Sequence, residues 1–457
     1  MAASGAQRNC SAVAEIHTVS LRGGYSTIAQ AVSAASDGDI VVVEDGVYRE
    51  RVVIDKPLTL KGVGRPVIDG GGEGTVLSIS APGCVVKGFE IRGSGSSLNS
   101  EDGGISLDGA SGTLIEDNTI HDILFGIYLR NSPNTTVRGN VVVGKELPIA
   151  SRGDGIRIWY SSGTRIEENH ITGTRDVVIW FSDKTLIKGN RVEKGRYGLH
   201  YMYSNDNHFV ENVFSENLVG GFLMYSTGIR LYRNVFARNR GIASGYGIGL
   251  KDLDDVVMSE NLFVENRVGV YIDNSPRSVD SRNIMRKNVI AFNDIGLSIM
   301  PAVERNVIVG NSIIDNTEQV EVRGGGTLRG NVWSELDRGN HWSDYVGYDD
   351  NGDGVGEVPY LAESLFESLI DRYPILRILM FSPASEAIEF ASRAFPIIKP
   401  EPKMRDNHPL IKAGLPGWVS TDRGGHSPKL LGLSTLMVVA SAAIYLYLIL
   451  PWRGKDV

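Results

Sequence analysis

A six-residue phrase recurs ten times along the chain and narrows its possible folds more than any other feature. It reads apolar, two variable positions, Asn, one variable position, apolar. It appears as IEDNTI (Asn118), VRGNVV (Asn140), IEENHI (Asn169), IKGNRV (Asn190), FVENVF (Asn212), LYRNVF (Asn234), MSENLF (Asn261), MRKNVI (Asn288), IVGNSI (Asn311) and LRGNVW (Asn331). Successive asparagines lie 22, 29, 21, 22, 22, 27, 27, 23 and 20 residues apart, a base period near 22 with three inserted loops. A second phrase keeps step with it, a glycine followed by alternating apolar residues, as in GIYL (Gly126), GLHY (Gly198) and GVYI (Gly269). Period-two strands returning every coil cannot bury their inner faces alone and must stack on neighbours. The expected fold is all-β, a parallel β-helix of the pectin-lyase type with about ten coils, or roughly 50 Å of rod at ~4.8 Å per coil. The asparagines then belong to the scaffold: at a turn into the core, stacked amides form a ladder, with Asn118, Asn140, Asn169, Asn190, Asn212 and Asn234 as its first rungs.

Composition fits this and sets aside other classes. With 54 glycines the chain suits many tight turns, and a net charge of −8 with no basic run in the repeats argues against a nucleic-acid partner. Two cysteines, Cys10 and Cys84, make neither a disulfide framework nor a zinc pattern. Residues 1–24 read as a disordered leader without an apolar signal core. Residues 25–75 read as a cap and first coils, the helical spacing of Ser26–Ala35 covering the open end. Repeats fill 76–335, an acidic closing segment 336–360, and amphipathic helical pieces 361–400, broken at Pro374 and Pro383. A linker over 401–429 leads to an uncharged stretch, 430–452, long enough to cross a bilayer as a helix and ending in Tyr445, Tyr447 and Trp452.

Register carries side chains from coil to coil. The runs IRIWYSS, VIWFSD, HYMYSN and FLMYST align through Ser161, Ser182, Ser204 and Ser226. Ile156, Ile158, Ile179, Leu199, Tyr201 and Leu223 then point inward, and two columns point outward. One is Trp159, Trp180, Met202 and Met224; the other includes Arg157, Val178, His200 and Phe222. A solvent-facing stripe of Trp, Met, Phe and His marks a contact, either with covering chain or with a partner. His200, Met202 and Met224 also offer imidazole and thioether ligands suited to Cu(I), with Trp159 and Trp180 beside them and Trp180 able to shield the ion. His170 and His208 are candidates only as neighbours on nearby coils.

Two further chemistries are open. In YDDNGDGVGEVPY, the residues Asp349, Asn351, Asp353, the Val355 carbonyl and Glu357 match the first half of a calcium loop, although its twelfth position is Tyr360. The alternative of a polysaccharide-modifying lyase, hydrolase or epimerase would draw on Asp154, Asp176, Asp252, Asp254 and Asp255, but no closely matched aspartate constellation stands out.

From about Tyr25 to Pro409 the chain resembles the NosD family, accessory proteins for maturation of the copper enzyme nitrous oxide reductase. The resemblance is carried by GRYGLHYMYSNDNHFVEN (195–212), GIGLKD (247–252), GNHWSDYVGYDDNGDGVGEVPY (339–360) and LMFSPASEAIEFASRAFPIIKP (379–400). It implies a right-handed β-helix in the periplasm that is not itself an enzyme. It implies work alongside an ABC transporter of permease and ATPase subunits, and with a copper chaperone lipoprotein, to supply the reductase's copper–sulfide cluster. Segment 361–400 would dock on the permease, and 430–452 would anchor the body to the inner membrane. The family brings no ligand set to these positions, so the copper residues rest on register alone.

Overall fold

In the computed structural model, residues 14–362, 369–370, 373–379, 382–394 and 402–419 are described. Three strands per coil wind into three parallel sheets of thirteen, twelve and thirteen strands, each built from every third strand of the chain. The coil count therefore exceeds ten. The early turns carry no Asn phrase, Phe89 standing where the next coil has Asn118, yet Val41, Leu60 and Val86 already stack in the core with no exposed surface. The leader also ends sooner than expected. Ile16–Val19 is the outermost strand of the first sheet, paired with Ile40–Val43, because IHTV alternates and seats Val19 in the core. Helix α1, Ile28–Ala34, caps the open end, its Thr27 hydroxyl accepting from Gln30 N–H and Glu50 accepting from the N–H groups of Ile28 and Ala29.

Inside, Asn118 accepts from Phe89 N–H, and each later ladder asparagine accepts at Oδ1 from the backbone N–H and side-chain amide of the asparagine one coil earlier, through Asn140, Asn169, Asn190, Asn212, Asn234, Asn261, Asn288 and Asn311. The last rung is Asn340, not Asn331, which instead ends a short ladder from Asn306 at another corner. A further column, Asn217, Asn239, Asn266, Asn293 and Asn316, repeats the device at the third corner. Between corners, Phe214, Phe236 and Phe263 stack with centroids 5.1 Å apart at each step.

The C-terminal side of the rod differs most from expectation. Residues 402–414, read as linker, return to close the last coil. Arg405–Asp406 pairs antiparallel with Tyr360–Leu361. The buried Asp406 carboxylate accepts from Asn340 N–H and Trp342 Nε1–H, and Lys403 Nζ donates to Glu318 at 3.0 Å. Polar, Pro-containing sequence reads as linker, whereas its packing depends on partners far away along the chain, from Glu318 to Leu361. The intervening excursion contains helix α2, Pro383–Ala394. Segment 430–452 lies outside the described residues; among those described, no helix is long and apolar enough to cross a membrane.

Candidate functional site

The second sheet carries the outward stripe, and its register is that of the two columns. Trp159 pairs with Trp180, Trp180 with Met202 and Met202 with Met224; beside them run Arg157, Val178, His200 and Phe222. Ile156, Ile158, Ile179, Leu199, Tyr201 and Leu223 are buried beneath. The serines that set this alignment hydrogen-bond in series, each backbone N–H donating to the next coil's hydroxyl from Ser132 through Ser161, Ser182 and Ser204 to Ser226.

Sequence alternation places the next residue of each coil inward, but the structure does not. Tyr160, Phe181, Tyr203 and Tyr225 adopt left-handed backbone, with φ of 50°, 50°, 50° and 54°. The kink turns their rings out at the corner, where they stack with centroids 4.9, 5.2 and 5.0 Å apart and Tyr160 remains 54% exposed. The stripe is thus wider than two columns. Its sequence signal was available, an aromatic residue before each aligned serine, but strand alternation does not describe a corner.

Charged groups define its edges. At the N-terminal edge, Arg157 lies 5.1 Å from the Trp159 and Tyr128 ring centroids and 5.7 Å from that of Trp180, and bridges to Glu101 at 2.8 Å. Trp180, the indole expected to shield a metal ion, thus has a guanidinium beside it. At the C-terminal edge, Tyr246 and Tyr271 stack at 4.7 Å beside Phe222, with Arg323 donating to the Tyr246 hydroxyl at 3.0 Å. Gly249 is needed there, since a Cβ would collide with the Phe222 ring.

The centre holds a network that the motifs did not reveal. Asp176 is 2% exposed and accepts from Arg196 Nε at 3.0 Å and from Tyr197 N–H at 3.2 Å, with His200 Nδ1 at ion-pair distance, 3.4 Å. Burial pushes its carboxyl up, but hydrogen bonds from His200 and Arg196 outweigh that and hold it below the ordinary carboxylate range. Its neighbour Asp154 also pairs with Arg175, at 3.1 Å, yet burial dominates and raises its carboxyl. His200 is stacked against Tyr197, centroids 5.0 Å apart, and meets the Trp180 edge at 5.1 Å.

Other candidates lie elsewhere. His170 sits on the third sheet, 3.2 Å from Glu193, and His208 on the first, so neither joins His200. The acids of the enzyme alternative do not converge on an open cleft. Asp154 and Asp176 are closed by arginines, Asp254 accepts from the backbone of Arg277 and Ser278, and Asp255 takes the Ser281 hydroxyl. Asp252 accepts from the Asn274 side chain. The acidic turn closes on itself: Asp349 accepts from Gly352 and Gly354 N–H, Asn351 from Asp353 N–H, and Asp353 from Val355 N–H. Glu357 follows, its N–H donating to the Tyr348 carbonyl, while Tyr360 at the twelfth position donates its hydroxyl to Asp344. These bonds account for the turn without calcium. At the N-terminal end, Glu15, His17 and Asp39 cluster, but Asp39 is taken up by His17 and by the N–H groups of Glu15 and Ser36.

Together these features define a parallel β-helix that displays a bounded aromatic, thioether and imidazole surface on one face. A family model described as "Periplasmic copper-binding protein (NosD)" matches residues 39–150 and 139–347. The chain belongs to the NosD family. It is 31% identical over 415 residues to a Pseudomonas aeruginosa protein named "Probable ABC transporter binding protein NosD", covering 80% of this chain and 87% of that one. It is 32% identical over 415 residues to a Stutzerimonas stutzeri protein of the same name, covering 80% and 85%. Among solved structures, it is similar to the A-module of the Azotobacter vinelandii mannuronan C-5 epimerase AlgE4, with TM-score 0.51, 15% identity, and 67% and 94% of the two chains covered. It is also similar to the catalytic domain of a GH87 α-1,3-glucanase, with TM-score 0.53, 13% identity, and 75% and 71% covered. At such identities the likeness is one of fold.

Proposed function

We propose that this chain is a periplasmic accessory protein in the maturation of nitrous oxide reductase, working beside an ABC transporter to assemble the copper–sulfide cluster. The observation that carries this reading is the bounded stripe in a chain of a family described as copper-binding and periplasmic, whose relatives are named for an ABC transporter. Copper is cargo here. His200, Met202 and Met224 stand on two adjacent coils, and one imidazole with two thioethers is a donor set suited to Cu(I). The aromatic corner and indoles beside it are a surface for the protein that delivers or receives the ion, a copper chaperone or the reductase. Segment 361–400 docks on the permease, and 430–452 holds the body at the inner membrane.

Co-expression tests the reading. The reductase should acquire its cluster with the wild-type chain and lose it with His200→Ala/Met202→Ala or with 363–400 removed. Only the double substitution should abolish Cu(I) binding by the purified protein. Cluster formation at wild-type level in the chain's absence overturns the assignment, and unchanged Cu(I) affinity in the double variant overturns the copper site.

A further inference from the structure

The ionic network under the stripe bears on how His200 is presented. Asp176 accepts from two guanidinium nitrogens of Arg196, Nε and Nη2, and from the Tyr197 N–H, so its carboxylate is fixed in direction before His200 is considered. A carboxylate holding these donors is acceptor-only, and the imidazole nitrogen facing it at 3.4 Å, Nδ1, is the one whose hydrogen it favours. Ring rotation is limited on two sides, by Tyr197 stacked at 27° and by Trp180 edge-on at 85°. In a neutral imidazole with hydrogen on Nδ1, the lone pair is on Nε2, on the side of the ring away from Asp176. His200 is an outward residue of its strand, two positions before Met202.

We propose that Asp176, clamped by Arg196, is a positioning residue that fixes His200 in the Nδ1–H tautomer and presents Nε2 as the nitrogen donor to a soft metal ion. The inference rests on the copper reading of the stripe and adds to it the ligand atom and the groups that hold it. Carboxylates behind ligating histidines act this way in metal sites, and their loss costs roughly 10- to 100-fold in metal affinity. The network has a structural cost of its own, a buried carboxylate that needs Arg196, and Arg196 alone would satisfy it. The His200 contact is the part that a purely structural role leaves unexplained.

The test is nitrogen NMR on the full chain labelled with 15N-histidine, with the His200 resonances assigned by their loss in His200→Gln. The metal-free protein should show a protonated Nδ1 and an unprotonated Nε2, and anaerobic Cu(I) should move the Nε2 resonance. Asp176→Asn, shown to be folded by its denaturation midpoint, should lower Cu(I) affinity about 10- to 100-fold. A protonated Nε2 in the metal-free wild type overturns the positioning role, and that measurement needs no variant to fold. A correct tautomer whose Nε2 ignores Cu(I) overturns the ligand assignment. If His200→Ala/Met202→Ala keeps full Cu(I) affinity, the copper reading itself fails, whatever the tautomer.

Discussion

Coils 156–225 and the coils that follow, 246–299, are built on one sheet with one corner geometry, and at the outer column and the corner they present opposite chemistries. In the first set the outer column is Trp159, Trp180, Met202 and Met224. It continues in the second as Lys251 and Asp273, which pair at 2.8 Å. At the corner, the left-handed position is Tyr160, Phe181, Tyr203 and Tyr225 in the first set, then Asp252 and Asn274, with φ of 52° and 44°. Asp and Asn are the residues that tolerate this backbone; an aromatic there costs about 1–2 kcal/mol. Stacking returns about 0.5–1.5 kcal/mol per ring pair. The scaffold therefore has no need of aromatic corners, and the stripe is a surface property laid over a backbone that closes equally well without it.

That contrast can be broken most sharply from below. The Phe214, Phe236 and Phe263 stack runs beneath both sets of coils. Phe214→Ala and Phe263→Ala should each cost about 3–5 kcal/mol in urea unfolding. A cost confined to one set would show that the two do not share a core. Next in size is Asp176→Asn, expected to cost about 2 kcal/mol at pH 7 by weakening charge-assisted hydrogen bonds to Arg196, whose 40%-exposed side chain is left to water. A carboxyl held below its unfolded value of about 3.9 stabilises the fold above that value and loses the contribution as pH falls through its folded value. The gap between wild type and variant should therefore be full at neutral pH and shrink in acid, as read from unfolding midpoints between pH 7 and pH 3. A gap that widens in acid would contradict the direction assigned to Asp176. The smallest effect is the most discriminating. Tyr203→Asn should change stability by less than about 1 kcal/mol, backbone relief offsetting the lost stacks. Asn274→Tyr in the other set should cost about 1–2 kcal/mol. Equal and large losses at both positions would mean that the aromatic corner is structural after all.

Much of this was legible in the sequence, because a solenoid repeats its local rules. The Asn phrase and the aligned serines sufficed to place Trp159 over Trp180 and His200 beside Met202. What escaped has identifiable physical causes. Tyr160 and its successors lie where strand alternation gives way to a turn. Asp176 meets His200 across a β-bulge, between the Asp176–Tyr197 and Val178–His200 pairs, so simple register does not bring the two together. Its clue is an arginine at matching points of adjacent coils, Arg175 and Arg196, which composition does not flag. Asn331 has the phrase of a rung but sits at the corner before it, and the Glu335–Arg338 loop that follows, which no phrase announces, delays the rung to Asn340.

The returned segment at the C-terminal side has a mechanical consequence. A solenoid pulled from its last strand would peel coil by coil, each step breaking few bonds. Here the chain leaving the rod passes through Gly414, bonded to Ser312, then Leu410, bridged to His341, then Asp406 and Lys403, all seated on the final coils. A load arriving from beyond residue 419 meets this stitch before any coil, and the excursion between Leu361 and Arg405 hangs from both of its ends at one ribbon. That ribbon carries any pull on either end of the excursion before the pull reaches a coil.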